Sequence, residues 1–345
     1  MPILLTFKIF SMRIKELELI NFKKFSYIKL NFHDGINFII GKNGTGKTTI
    51  IEAISYISTP KSFRKVKDEH LIKFNENGFS IKAKIQNLIE NDILITYQKG
   101  GLKTITLNGK KVKLFSHLIK EFPILTFYTN NYTLIDQTPS MRRKFFDWFF
   151  STLNYEYYSN LYKYRKILLQ KNEALKQKGD VSVWNKQLEQ YAQYLIKMRE
   201  EYIKKLNSLI NEIDKDVKMD YYNSLKDKSF DEFLEVEMEK GFSIVGPHRD
   251  DYNFYYKEHN AKIFASEGER RKIFLDLAIA MIKLIKSTKD IEPIVIFDDP
   301  FNVLDEYKLQ SFFDSVKDMN LQFIITSVKP VSHLKGHVIN LNTYM

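Results

Sequence analysis

The segment Gly41-Lys42-Asn43-Gly44-Thr45-Gly46-Lys47-Thr48 fills the pattern G-x-x-x-x-G-K-[ST] without a gap. It constrains the fold more than any other stretch, because a phosphate cradle of this kind needs a strand before it and a helix after it. Ile36 to Ile40 is short, apolar and β-branched, as a buried strand should be. From Thr49 to Ile57, the residues Ile50, Ile51, Ile54 and Ile57 recur at helical spacing. Gly41, Gly44 and Gly46 free the backbone to bring N–H groups against phosphate oxygens at the positive end of that helix. Lys47 is expected to reach the β- and γ-phosphates and Thr48 to ligate Mg2+, with Lys42, Asn43, Thr45 and Thr49 completing the binding segment. The cofactors implied are ATP and Mg2+.

The rest of the chain narrows the class. It has 345 residues, enough to bury a large core, and no apolar run approaches the roughly 20 residues of a membrane helix. Met1 to Phe10 is apolar but short and lacks a cleavage pattern, so no secretory signal is expected. The absence of cysteine excludes disulfides, Cys-ligated zinc and thiol catalysis, and is compatible with the cytoplasm. With 53 basic and 42 acidic residues the net charge is +11, which favours a polyanionic partner.

Periodicity suggests three parts. Residues 1–137 read as an ATPase lobe with the phosphate loop and an antiparallel β meander, since Phe79, Ile81, Ala83 and Ile85 alternate with polar residues ahead of hairpin signals. A second start at Met12 makes residues 1–11 an expected extension. Residues 138–240 read as a helical lobe. Met141 to Lys178 contains no Pro or Gly before Gly179, which predicts one helix of about 38 residues and roughly 57 Å. A second helix with a stripe from Trp184 to Ile213 would fold back on it, and Asp216 to Lys240 reads as charged and irregular. Residues 241–345 return to the first style.

The C-terminal third carries the remaining chemistry. Pro293 to Phe297 is a buried-strand pattern ending in Asp298-Asp299, as a phosphate-loop ATPase requires downstream. Asp298 would hold the Mg2+ shell, and Asp299, with Lys47 the expected catalytic pair, would polarise the attacking water. Ala265-Ser266-Glu267-Gly268-Glu269-Arg270 opens a helical run, and Asn302-Val303-Leu304-Asp305 follows the acidic pair.

That order of phosphate loop, helical insertion, Ser-x-Gly-x before a helix, apolar strand with Asp-Asp, and Leu-Asp resembles the ABC-type ATPase heads of the SMC class. Within it the chain is similar to the RecF family of bacterial DNA replication and repair proteins, over essentially everything from Met12. Lys15 to Leu19 with Asn21-Phe22, Ser62-Phe63-Arg64, Pro139 to Asp147, Tyr164 to Leu168 and Gly246-Pro247-His248-Arg249-Asp250-Asp251 carry the likeness beyond the ATPase motifs. The resemblance implies an α/β head with a β meander and an inserted helical hairpin. It also implies ATP-driven homodimerisation on DNA with slow hydrolysis, in recombinational repair and fork maintenance. One copy's loop would face Ser266 and Gly268 of another, with Asp305 alongside. The implied partners are double-stranded or gapped DNA and the RecO and RecR mediators. Three departures stand out: the signature reads Ser266-Glu267-Gly268-Glu269-Arg270 where the family usually has Gln at one or both variable places, Phe127-Tyr128-Thr129-Asn130-Asn131 leaves the Q-loop residue unassigned, and no switch histidine follows Ile324 to Ser327, His333 reading as a surface residue.

For DNA contact, Pro139 to Lys178 holds nine basic and three acidic residues, hence +6 of the chain's +11. Arg142, Arg143, Lys144, Arg165 and Lys166 are the expected phosphate contacts. The aromatics beside them, Phe145 to Tyr158, read first as packing and second as a stacking surface for single strands. Gly246 to Asp251 reads as a structural ion-pair turn. Two other functions remain open: a DNA clamp in which ATP acts as glue with negligible turnover, and a transporter-type ATPase subunit, which would lack both the hairpin and the Gly-Pro-His-Arg-Asp-Asp segment.

Overall fold

The computed structural model describes residues 10–64, 66–113, 116–226, 228–329 and 334–344. His333 lies outside them, as do residues 1–9 of the expected extension. The chain forms two compact units, residues 1–132 with 285–345 and residues 133–284.

The first unit is built on two sheets. The parallel one has the order β16-β4-β15-β14-β9 and comprises β4 (Ile36–Ile40), β9 (Ile124–Phe127), β14 (Ile294–Phe297), β15 (Gln322–Ser327) and β16 (His337–Asn340). Every residue of β9, β14 and β15 is buried, the pattern of a parallel sheet covered on both faces. The antiparallel sheet has six strands in the order β3-β2-β5-β6-β7-β8: β2 (Arg13–Phe22), β3 (Phe25–Asn31), β5 (Gly78–Gln86), β6 (Glu90–Gln98), β7 (Thr104–Leu107) and β8 (Lys110–Lys111). In β5 and β6 alternate residues are buried, so one face turns to the core. Leu17, Ile81 and Ile95 of this sheet share one buried cluster with Ile124, Ile296 and Ile324 of the other. Ile50 and Ile54 of α1 (Lys47–Ser58) belong to the same cluster, which anchors the helix that follows the phosphate loop. Two residues of the expected extension, β1 (Phe10–Ser11), pair in parallel with β13 (Ile291–Glu292). Short helices α2 (Ser116–Glu121), α3 (Thr129–Tyr132) and α10 (Glu306–Ser315) complete the unit.

The second unit is mainly helical, and here the expected single helix divides. It forms α4 (Pro139–Leu153) and α5 (Tyr155–Lys176), separated by Asn154 at φ −139° and ψ 116°. The Asn154 side chain accepts hydrogen bonds from the N–H groups of Glu156 and Tyr157, so asparagine capping ends one helix and starts the next without Gly or Pro. α5 is therefore about 33 Å long rather than roughly 57 Å. It pairs antiparallel with α6 (Ser182–Ile213) across the turn at Gly179. The stretch read as irregular contains β10 (Val217–Tyr222) and α7 (Leu234–Lys240). β10 pairs antiparallel with β11 (Asp251–Tyr256), which pairs with β12 (His259–Asn260). α8 (Ala261–Phe264) leads into α9 (Glu267–Lys289), which carries the chain back to the first unit.

Two buried ionic clusters hold the helical unit together. Arg199 of α6 is 1% exposed and donates to Tyr157 Oη at 2.9 Å, the Pro247 carbonyl at 2.8 Å, Asp250 Oδ2 at 2.7 Å and Asp147 Oδ1 at 2.8 Å. Burial works against its charge, yet the surrounding phenols and Asp147 outweigh that and hold the guanidinium's pKa well above its ordinary value. Lys171 and Glu237 form the second pair at 2.5 Å, both side chains fully buried.

Candidate functional site

The phosphate loop runs from β4 into α1. Gly44 (φ 82°) and Gly46 (φ 103°) occupy the left-handed region, and a Cβ at Gly46 would lie 2.6 Å from Phe25 Cζ. Only glycine satisfies both demands there. No side chain caps α1 and its first turn carries no acid, so its leading N–H groups and positive end face the loop. Lys47 is buried, and its Nζ donates to the Gly41 carbonyl at 2.8 Å and the Lys42 carbonyl at 3.3 Å. Its ammonium is thus held inside the loop that it closes. Thr45 is buried and bonds the Lys42 carbonyl at 2.9 Å, Lys42, Asn43 and Gly44 are exposed on the rim, and Thr49 is half-buried.

Asp298 follows β14 and meets the loop. Its Oδ1 accepts from Thr48 Oγ1 at 3.2 Å and from Thr326 Oγ1 at 2.8 Å, while Thr326 Oγ1 accepts the Asp299 N–H at 2.7 Å. The Thr326 hydroxyl thus fixes both acids. Asp299 itself sits in the left-handed region (φ 48°, ψ 51°), a conformation that Asp tolerates better than most residues. Burial raises the Asp298 carboxyl pKa; the Thr326 and Thr48 hydroxyls oppose this, Asp299 adds to it and Arg64 lowers it. A buried carboxylate beside a second acid and a threonine hydroxyl is an all-oxygen donor set for a hard cation, and it fits Mg2+. Among the described residues no group of three or more acids and histidines gathers into a metal cage.

Sequence reasoning left several neighbours of this site without a role. Lys24 Nζ donates to the Gly44 carbonyl at 2.7 Å, bringing a second cation to the loop. Arg64 is exposed and near enough to act on Asp298. Ser62 Oγ and Lys23 Nζ both bond the buried Glu52 of α1, and Phe63 stacks on Tyr128 at 5.1 Å, which together position the Arg64 segment. The Tyr132 hydroxyl reaches the carbonyls of Phe127 (3.0 Å) and Asp298 (3.1 Å). The signal for Arg64 was present in Ser62-Phe63-Arg64, a segment noted for family likeness but given no chemistry.

Asp305 caps α10: its Oδ1 accepts the Lys308 N–H at 2.9 Å and its other oxygen pairs with Lys308 Nζ at 2.6 Å. In the second unit, Ser266 is exposed at the start of α9. Its N–H and its Oγ each bond Glu269 Oε2 at 2.8 Å, and the Glu269 N–H returns to Ser266 Oγ at 3.3 Å. This capping box fixes the hydroxyl on the surface, with Gly268 half-buried one turn in.

The five expected DNA cations divide by environment. Arg142 is 5% exposed and bonds both oxygens of Asp251, at 2.9 and 2.7 Å, so its charge is spent inside the unit and not offered to a phosphate. Arg143 donates to the Asp250 carbonyl at 2.7 Å. Arg165 is 55% exposed and bonds Asp147 at 2.8 Å; Lys144 and Lys166 lie on the surface.

The Gly246 to Asp251 segment is the ion-pair turn that its residues suggested. Asp250 takes Arg199, Ser224 and Tyr221, and Asp251 takes Arg142. His248 Nε2 lies 3.1 Å from the Ser243 carbonyl, which can only accept, so Nε2 carries the proton and Nδ1 accepts from the Tyr164 hydroxyl at 2.7 Å. Burial lowers the imidazole pKa to about 4, which keeps the ring neutral.

Residues 13–340 match the family described as RecF/RecN/SMC N terminal domain. The chain is 34% identical to the DNA replication and repair protein RecF of Clostridium novyi (strain NT), over 95% of this chain and 97% of the relative. The chain belongs to the RecF family. It is also 32% identical to the DNA replication and repair protein RecF of Clostridium perfringens (strain SM101 / Type A), over 91% and 92% of the two lengths. It superposes on a structure of the recombination mediator protein RecF-ATPrS in the RecFOR pathway with TM-score 0.88 and 26% identity, covering 95% of this chain and 96% of that one. An Smc head bound to the C-winged helix domain of ScpA shares the fold alone, at TM-score 0.52 and 16% identity. The ABC-type ATPase head of the SMC class is thus the fold, as the motif order suggested. Among the described residues no helix is long and apolar enough to cross a membrane.

Proposed function

We propose that this RecF-family chain is a cytoplasmic ATP-dependent DNA-binding protein of recombinational repair and replication, in which ATP·Mg2+ joins two copies on DNA and slow hydrolysis separates them. The observation that carries the reading is the Thr48–Asp298–Thr326 contact, which ties the phosphate loop to the acidic strand end. Gly41 to Thr49 would hold the triphosphate, with Lys47 drawn from the loop carbonyls to the phosphates. Thr48 and Asp298 would hold Mg2+, which supplies charge neutralisation between the phosphates. Asp299, oriented through its N–H by Thr326, would polarise the attacking water. Ser266 and Gly268 of the second copy would cap the γ-phosphate, where a surface hydroxyl and a helix N-terminus suit an anion. Asp305, whose carboxylate now caps α10, would lie beside that junction.

The solved structure described as the recombination mediator protein RecF-ATPrS in the RecFOR pathway supports a role in recombinational repair; gapped DNA as substrate and the RecO and RecR mediators as partners are carried by the family likeness of the motifs alone. The net charge of +11 supports phosphate contact through Lys144, Lys166 and the outward part of Arg165, with Arg142 and Arg143 holding the helices beneath. Comparing ATP turnover of the wild type and Asp299→Asn, with and without DNA, tests the reading. The variant is expected to bind ATP normally and to lose at least about tenfold in turnover, roughly 1.4 kcal/mol of barrier. Unchanged turnover would leave ATP as glue and Asp299 without a catalytic role.

A further inference from the structure

The helix that packs its inner face on α6 leaves an aromatic stripe on its outer one. Tyr157, Leu161, Tyr164, Leu168 and Leu175 are buried in the α5 seam. Beside them Tyr158, which is half-buried, and then Tyr162 and Leu169 follow at spacings of four and seven residues, which keeps them on one side of the helix. Tyr162 is 61% exposed and Leu169 68%. Tyr155 and Tyr162 lie near enough to Tyr158 to act on its hydroxyl, as does the Arg165 guanidinium. Large apolar side chains on the solvent face of a helix, grouped rather than scattered, mark a surface that meets something.

The surrounding charge says what that partner is. Lys163 and Lys166 are exposed, the Lys163 ammonium lying over the Tyr191 ring of α6 at 5.8 Å, and Arg165 turns more than half of its side chain to solvent. The acids on the outer surface of α5 are already engaged: Glu173 pairs with Lys176 at 2.7 Å, and Glu156 accepts from Tyr194 Oη at 3.3 Å. Phenol rings between cations suit a partner with flat apolar groups and a negative backbone. A fully paired duplex hides its base faces, whereas a single strand offers them, and stacking on an aromatic ring is tolerant of sequence. From Tyr155 to Leu169 the helix rises about 21 Å, room for several nucleotides and within the roughly 4–16 that single-strand sites take.

We propose that the outer face of α5, centred on Tyr158 and Tyr162, is a stacking platform for single-stranded DNA that shares Lys166 with the phosphate contact described above. It rests on the DNA-binding reading above and specifies which part of a gapped substrate this helix holds. Lys163 and Lys166 supply the phosphate contacts and the tyrosines supply the rings.

The test uses the full chain with ATP, a fluorescent 20-nucleotide oligo-dT and a blunt duplex of equal length, read by anisotropy. Tyr158→Ala with Tyr162→Ala should weaken oligo-dT binding at least tenfold and leave the duplex affinity and ATP turnover unchanged. Phe at both positions should restore binding, because the ring and not the hydroxyl does the work. Lys163→Ala with Lys166→Ala should flatten the salt dependence on oligo-dT. Equal affinity of wild type and the double-Ala variant for oligo-dT overturns the platform while leaving duplex binding intact. So does loss of self-association in light scattering without loss of oligo-dT binding, which would make the face a protein contact. A wild type that binds neither DNA overturns both readings together.

Discussion

Arg199→Ala tests whether the helical unit is held by its buried ions. The substitution removes four hydrogen bonds and leaves two carboxylates that are 7% and 0% exposed without their central cation. The loss is partly cushioned: Asp147 keeps Arg165 and Tyr157, and Asp250 keeps Ser224 and Tyr221. Breaking a buried ion pair on one side costs about 3–5 kcal/mol. Arg199→Lys retains a charge but its compact ammonium cannot span four acceptors on three segments, so about half that loss is expected. The chain has two tryptophans, Trp148 and Trp184, both in residues 133–284, so their fluorescence in urea follows that unit. With a slope of roughly 2 kcal/mol/M, the alanine variant's midpoint should fall by about 1.5–2.5 M. ATP affinity should persist below that midpoint, because the phosphate loop belongs to the other unit. A midpoint shift under about 0.5 M would refute the reasoning, since it would mean that the guanidinium is not desolvated between those two acids.

Two further outcomes follow from the hydrogen bonds described above. His248 has its pKa lowered to about 4 from 6.5 by burial. A depressed pKa contributes stability that is complete above pH 6.5 and is lost as pH falls toward 4, by up to about 3 kcal/mol. His248→Gln should flatten the urea midpoint between pH 7 and 4.5, and an unchanged slope would place the acid sensitivity elsewhere. Thr326→Val removes the hydroxyl shared by Asp298 and Asp299 at nearly constant volume. Mg2+-dependent turnover should fall about tenfold or more while Thr326→Ser stays near wild type, and equal rates would show that the hydroxyl orients neither acid.

What could be read in advance was what lies in contiguous residues. The phosphate loop, the Asp298-Asp299 strand end and the Ser266 helix start each state their chemistry within a few positions, and the apolar strands of the parallel sheet announce themselves by composition. Arg199 did not. A charge on a helix reads as solvated, and its partners Asp147 and Asp250 lie 52 and 51 positions away, so only the fold brings them together. The break between α4 and α5 was hidden because Asn154 acts through its side-chain oxygen, whereas Pro and Gly were the breakers sought. Arg142 shows the opposite error. Its place in a basic cluster suggested DNA, and its burial against Asp251 assigns that charge to the interior. Lys24 reaches the phosphate loop from a turn that no motif describes, and Arg64 reaches the acidic pair from a segment whose family likeness carried no chemistry.

The central claim is that nucleotide is gripped between two copies, the loop of one facing Ser266 and Gly268 of the other. Light scattering with ATP and Mg2+ tests it most directly, comparing wild type with Ser266→Arg, a surface substitution that leaves the phosphate loop untouched. The account predicts that the wild type moves from 40.9 kDa to twice that mass on adding ATP. The variant should bind ATP with unchanged affinity and remain at the monomer mass. A variant that dimerises with ATP as the wild type does would contradict the claim.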